Sequence, residues 1–208
     1  MMALTVAPDV QAIVRPAWRL FDPVVVVGRD DRQNDPMALA ARAMRTAVES
    51  AEVISAVRTM YKRVGIDPTK TRPSSEALLR RIRKGDELPR INSLVDIVNW
   101  TSLESQLPFG LYDADRIRGA PMLRIGRSGE HYAGIRKDDV HVAGRLVLAD
   151  DEGAFGNPTS DSARTMVTPA TVRAMVVIFA PVPVSASIVD RAMATTAERV
   201  ARYCGDTR

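Results

Sequence analysis

A single cysteine, Cys204, excludes an internal disulfide, and two histidines beside it leave the chain short of the ligands a zinc site needs. No metal and no cofactor are expected, and one lone thiol fits a reducing compartment. Long apolar runs are missing as well. Nothing approaches 18 uninterrupted apolar residues, and Pro8, Asp9 and Arg15 interrupt the stretch in which a secretory signal would lie. The expectation is a cytoplasmic protein without a membrane partner. The sequence also holds no GxxxxGK[ST], no GxGxxG after a strand, no HExxH and no GxSxG, which sets aside P-loop nucleotide hydrolysis and metalloprotease chemistry.

What is present is the composition of a globular protein, with 46% hydrophobic and 26% charged residues. The 208 residues suffice for one sizeable domain, or for two closely packed lobes sharing a core, and no repeat or linker divides them. A single domain over residues 1–208 is expected. A net charge of +4 suits a polyanionic partner but identifies none without a cluster.

The informative stretch is Arg90 to Gly119, RINSLVDIVNWTSLESQLPFGLYDADRIRG. On a helix, Ile91, Leu94, Val95, Ile97, Val98 and Trp100 spread over most of the circumference, so this helix belongs inside the protein. Asn92, Asp96 and Asn99, at i, i+4 and i+7, share a narrow arc of one face. An unpaired buried polar group costs about 1–3 kcal/mol, so this stripe needs partners, water or a ligand. It is the best pointer to function.

Around it, Val24 to Val27 reads as a short buried strand by its β-branching, and Met37 to Val64 as one helix, with Asn34 or Asp35 as caps and Pro36 in the first turn. Ser74 or Ser75 caps a further helix that Gly85 stops. Leu107 to Tyr112 reads as a loop around Pro108 and Gly110. Strands are expected at Met122 to Ile125, His131 to Ile135, Val140 to Ala149 and Arg173 to Phe179, and an amphipathic helix at Ser187 to Tyr203. Helices early, a strand-rich middle and a helical end predict an α+β fold with a mixed or antiparallel sheet and flanking helices.

Arg58 to Arg90 carries ten Lys or Arg against four Asp or Glu, a local excess larger than the whole net charge. Within it Arg72, Arg80, Arg81, Arg83 and Lys84 either form a solvated face favoured by the helix dipole or offer phosphate-binding donors to RNA. With aromatic residues at only 5% of the chain and few in the cluster, stacking on unpaired bases is not predicted. Arg124 and Glu130 can orient each other at a site or close a turn. Asp161, Ser162, Arg164 and Thr165 follow the loop GAFGNPTS; the serine, arginine and threonine can bind a carboxylate or phosphate or hydrogen-bond their own loop. His131 and His141 read as strand residues, and Cys204 as structural.

These pieces together resemble the B3/B4 domain of the phenylalanyl-tRNA synthetase beta subunit, and more closely the free-standing B3/B4-domain proteins. The resemblance rests on Tyr61-Lys62 with Gly65 and Asp67-Pro68, on RPSSEALLRRIRKG, LPRINSLVDIVNW and LPFGLYDADRIRG, and on LRIGRSGE and DSARTMVT, in that order. It covers a core of about residues 55–180, onto which an N-terminal strand and helix and the C-terminal helix would pack. In the synthetase this domain hydrolyses the ester of mischarged tRNA. The resemblance therefore implies a pocket for an amino-acid-like small molecule beside a path for the acceptor end of misacylated tRNA, and deacylation in trans without aminoacylation.

Residue chemistry then nominates Asn92, Asp96 and Asn99 as catalytic, with Asp96 on the substrate amine and the asparagines on water or carbonyl. Arg124, Glu130, Asp161, Ser162, Arg164 and Thr165 would bind substrate. One departure matters: bacterial synthetases commonly carry a histidine in a PxHxFD-like turn, and PFGLYD here has Gly110 in that place. The alternative is a non-catalytic module that binds an amino acid, a metabolite or RNA.

Overall fold

A computed structural model describes residues 2–48, 50–136 and 138–205. Its centre is the strand β10 (Ala174–Pro181), AMVVIFAP, every residue of which is buried. Antiparallel neighbours flank it on both sides: β2 (Val14–Phe21) and β3 (Phe109–Asp113), with Val177 opposite Trp18 on one side and Gly110 on the other. Pro16 lies in β2, an edge strand, where a missing N–H leaves no ladder bond unmade.

A second sheet has the order β1-β4-β7-β8-β9, made by Thr5–Val6, Met122–Ile125, Leu146–Asp150, Gly153–Asn157 and Ser160–Asp161. β1 runs parallel to β4 and the remaining pairs are antiparallel. A small hairpin, β5 (His131–Ala133) with β6 (Asp139–His141), stands apart. The helices α1 (Asn34–Thr46), α2 (Ala51–Arg63), α3 (Ser74–Arg83), α4 (Ser93–Ser105) and α5 (Ala186–Cys204) flank the sheets. α4 packs on α5, α3 and α1, so it is buried on several sides, as its apolar circumference requires. The architecture is α+β, with mixed and antiparallel sheets.

Several local expectations are corrected. Met37 to Val64 is two helices: Ala47 leaves helical geometry with ψ 139°, and Ser50 starts α2 by accepting the Val53 N–H at 3.4 Å. Val24 to Val27 is extended but in no ladder, because the Val24 N–H goes to Val172 and the Val25 N–H to Cys204. Neither serine caps α3. Pro73 holds the cap position, Ser74 is the first helical residue, and Ser75 donates to the Gln106 carbonyl at 3.1 Å.

Val140 to Ala149 is split between β6 and β7 by a turn. The loop expected at Leu107 to Tyr112 is largely strand β3, and GAFGNPTS contains β8.

Candidate functional site

α4 divides its polar stripe between two jobs. Asn92 is the N-cap, with extended backbone, and its side-chain oxygen accepts the N–H groups of Leu94 at 3.2 Å and Val95 at 2.9 Å. Asp96, fully buried, accepts from Arg90 Nε at 2.6 Å and from the Ile91 N–H at 2.8 Å. Arg90 continues to the Asp30 carbonyl at 2.9 Å and to the Asn34 side chain, tying α4 to the turn before α1. Asn99 alone of the three faces a cavity.

That cavity holds about 400 Å³, within the range of small-molecule sites. Val95 and Val98 of α4, Phe109 and Leu111 of β3, and Met166 and Val167 give it an apolar wall. Its polar groups converge from elsewhere: Asn99, Ser74 at the start of α3, Arg136, and the turn Asn157 to Asp161 between β8 and β9. Asn157 shapes this turn, its side-chain oxygen accepting from the Thr159 N–H at 2.7 Å, the Thr159 hydroxyl at 2.7 Å and the Ser160 N–H at 2.9 Å. Tyr61 fixes the turn from below by donating to the Pro158 carbonyl at 2.7 Å. The Asn157 amide nitrogen is buried and makes no hydrogen bond among the described residues. Among the described residues Asp161 is the single carboxylate on the wall.

The other nominated substrate ligands lie in structural networks off this cavity. Arg124 and Glu130 form a bidentate pair at 2.7 and 2.6 Å. Glu130 also accepts the N–H groups of Arg127 and Ala154, and chiefly the Arg124 guanidinium holds its carboxyl down to about 2. Arg164 forks onto Asp150, with both contacts at 2.9 Å. Ser162 and Thr165 bond each other at 3.1 Å. His131 and His141 face each other across β5 and β6, both exposed, and Cys204 is buried with its thiol 3.3 Å from Ser93 Oγ. Burial pushes that thiol up.

Ser74, Arg136 and Asn157 line the cavity without having stood out in the sequence as site residues. Only the Asn-Pro pair in GNPTS carried a signal, for an Asx-stabilised turn.

A groove of about 410 Å³ runs between α2 and α3. Arg58, Arg72, Arg80, Arg83 and Lys84 line it together with Glu76, which pairs with Arg58 at 2.9 and 2.7 Å. Arg81 turns away to the Glu87 carbonyl at 2.6 Å, and Arg83 reaches the Ala47 carbonyl at 3.1 Å. Among the described residues Arg72, Arg80 and Lys84 enter no ion pair. Along the chain, Arg72 of the groove is two residues from Ser74 of the cavity. Among the described residues no cluster of three or more His, Cys, Asp or Glu is placed to hold a metal, and no helix is long and apolar enough to cross a membrane.

The phenylalanine–tRNA ligase beta subunit of Cutibacterium acnes is 36% identical over 85 residues, covering 40% of this chain and 10% of that one. That of Neisseria gonorrhoeae is 38% identical over 66 residues, 31% of this chain and 8% of the other. The chain thus spans about a tenth of the length of these relatives. An N-terminal fragment of the phenylalanyl-tRNA synthetase beta subunit from Pyrococcus horikoshii superposes with a TM-score of 0.49 at 12% identity, over 97% of this chain and 49% of that one. The family model described as the B3/4 domain matches residues 56–205, and the chain belongs to that family.

Proposed function

We propose that this protein hydrolyses the ester of misacylated aminoacyl-tRNA in trans, with the cavity under α4 receiving the amino-acid part. One observation carries the proposal: in a B3/4-domain chain, a cavity of about 400 Å³ combines an apolar wall with, among the described residues, a single carboxylate and two amides. The apolar wall suits the amino-acid side chain. Asp161 takes the α-amino group, since Asp96 is already committed to Arg90. Asn99 and the unpartnered Asn157 amide donate to the carbonyl oxygen as it becomes an oxyanion.

Because the ester is already activated, a positioned water adds to the carbonyl carbon, the bond to the ribose oxygen breaks, and that oxygen takes a proton. The products are a free amino acid and uncharged tRNA. The groove between α2 and α3 holds phosphates of the acceptor end through Arg72, Arg80, Arg83 and Lys84, while Arg81, engaged by Glu87, contributes at its edge.

Purified protein should speed ester loss from at least one member of a panel of mischarged tRNAs. Asn99→Ala and Asp161→Asn should each slow it about 10–100-fold, the effect of losing one donor or charge-assisted bond. A second reading, binding without hydrolysis, is favoured by a cavity lining that holds no histidine or cysteine among the described residues. It predicts a free ligand in thermal-shift screening and no acceleration on any tRNA.

A further inference from the structure

Tyr112, on β3, is fully buried, and the chemistry proposed above leaves its hydroxyl unused. Its ring occupies a slot that two glycines keep open. A Cβ on Gly110 would come closer than 3.0 Å to the Tyr112 hydroxyl and to two ring carbons, and a Cβ on Gly156 would do the same from the other side. Neither glycine has a positive φ, so what each supplies is space for a close approach, which is one reason for glycine inside a strand. Phe155 holds the ring edge-to-face at 5.0 Å.

Strand register then locates the hydroxyl. Gly156 lies directly opposite Asp161 across β8 and β9. Directly opposed residues of an antiparallel pair carry their Cβ atoms about 4.5–5.5 Å apart on the same face. The Tyr112 hydroxyl fills the place of a Gly156 Cβ, so it lies beside the Asp161 side chain, which lines the cavity. Among the described residues this buried hydroxyl makes no hydrogen bond of ordinary geometry, so it is a donor in need of an acceptor. Burial first, and then the Asp161 carboxylate as a charge and as an acceptor, keep the phenol protonated and able to donate. Tyr132, also nearby, spends its hydroxyl on the Ser160 carbonyl at 2.5 Å.

We propose that Tyr112 is a positioning residue for Asp161: its hydroxyl donates to one carboxylate oxygen from behind and leaves the other turned into the cavity for an amino group. The ligand's identity rests on the function proposed above; the contact behind the carboxylate does not. The phenol also excludes any side chain at position 110 while it sits in this slot. Among the described residues Tyr112 from β3 and Tyr132 from β5 interact with Asp161, Arg136 lines the same cavity, and Arg145 acts on Tyr132.

Tyr112→Phe keeps the ring and removes the hydroxyl, and the Asp161 carboxylate carbon can be titrated by NMR in ligand-free protein. Donation to a carboxylate favours its charged form, so the variant should raise the Asp161 midpoint by about 0.5–1 pH unit. An unchanged midpoint in folded Tyr112→Phe overturns the proposal. Should that variant not fold, the wild-type protein still decides: the Tyr112 hydroxyl proton must move with the Asp161 midpoint, and independence of the two overturns the assignment. Because no substrate is used, a shifted Asp161 in a protein that deacylates no tRNA would sink the proposed function and leave the positioning role standing.

Discussion

Replacing Asp96 by alanine tests how the polar stripe of α4 is spent. The carboxylate is fully buried and holds the Arg90 guanidinium at 2.6 Å and the Ile91 N–H at 2.8 Å, while Arg90, itself largely buried, also serves the Asp30 carbonyl and Asn34. Removing one partner of such a pair leaves an uncompensated charge and costs about 3–5 kcal/mol. For a chain of this size each kcal/mol lowers the melting temperature by about 2–4 °C, so Asp96→Ala should melt roughly 6–20 °C below wild type. Replacing both partners together, Arg90→Met with Asp96→Leu, should recover much of the loss, because no orphaned charge remains. Thermal and urea unfolding of the two single variants and the double variant measure these terms directly. A loss below about 1 kcal/mol in Asp96→Ala would refute the reasoning and make Asp96 available to a substrate again.

Asn92→Ala removes the cap of α4 and should cost about 1 kcal/mol in urea unfolding, whereas Asn92→Ser should be nearly neutral. Glu130 sets an acid dependence. Its folded-state value, about 2, lies below the ordinary 4.5, so its contribution is present above the unfolded value and is lost as pH falls from about 4.5 towards 2. That contribution is on the order of 2 kcal/mol, and stability of Glu130→Gln should be correspondingly flatter across the same window. In the groove, reversing Arg80 and Lys84 to glutamate should weaken tRNA binding and lower the slope of log affinity against log salt by about 1 for each phosphate no longer neutralised. An unchanged slope would place the RNA elsewhere.

Local signals made the α+β class and the central helix legible. The apolar circumference of Ser93–Ser105 announced burial, and the charges closing α3 announced its end. Asn92 was legible as a cap in principle, since asparagine directly before an apolar run is a helix start, but its place in the i, i+4, i+7 pattern made it look like part of a site. The strands that escaped notice did so because glycine and proline carry two meanings. Pro16 sits on an edge strand, and Gly110 and Gly156 make room for a tyrosine ring instead of turning the chain. That meaning exists only once β3 and β8 are brought together, which no spacing along the chain encodes. Of the nominated site residues, Asn99 and Asp161 meet at the cavity, while Arg124, Glu130 and Arg164 found partners among themselves or with Asp150.

The most direct test of the account is ester hydrolysis by the purified protein on a panel of misacylated tRNAs, read beside Asn99→Ala and Asp161→Asn at matched folding and tRNA binding. Accelerated ester loss is expected on at least one tRNA, falling about 10–100-fold in each variant. No acceleration anywhere in the panel with tRNA binding intact, or equal rates in wild type and both variants, would contradict it.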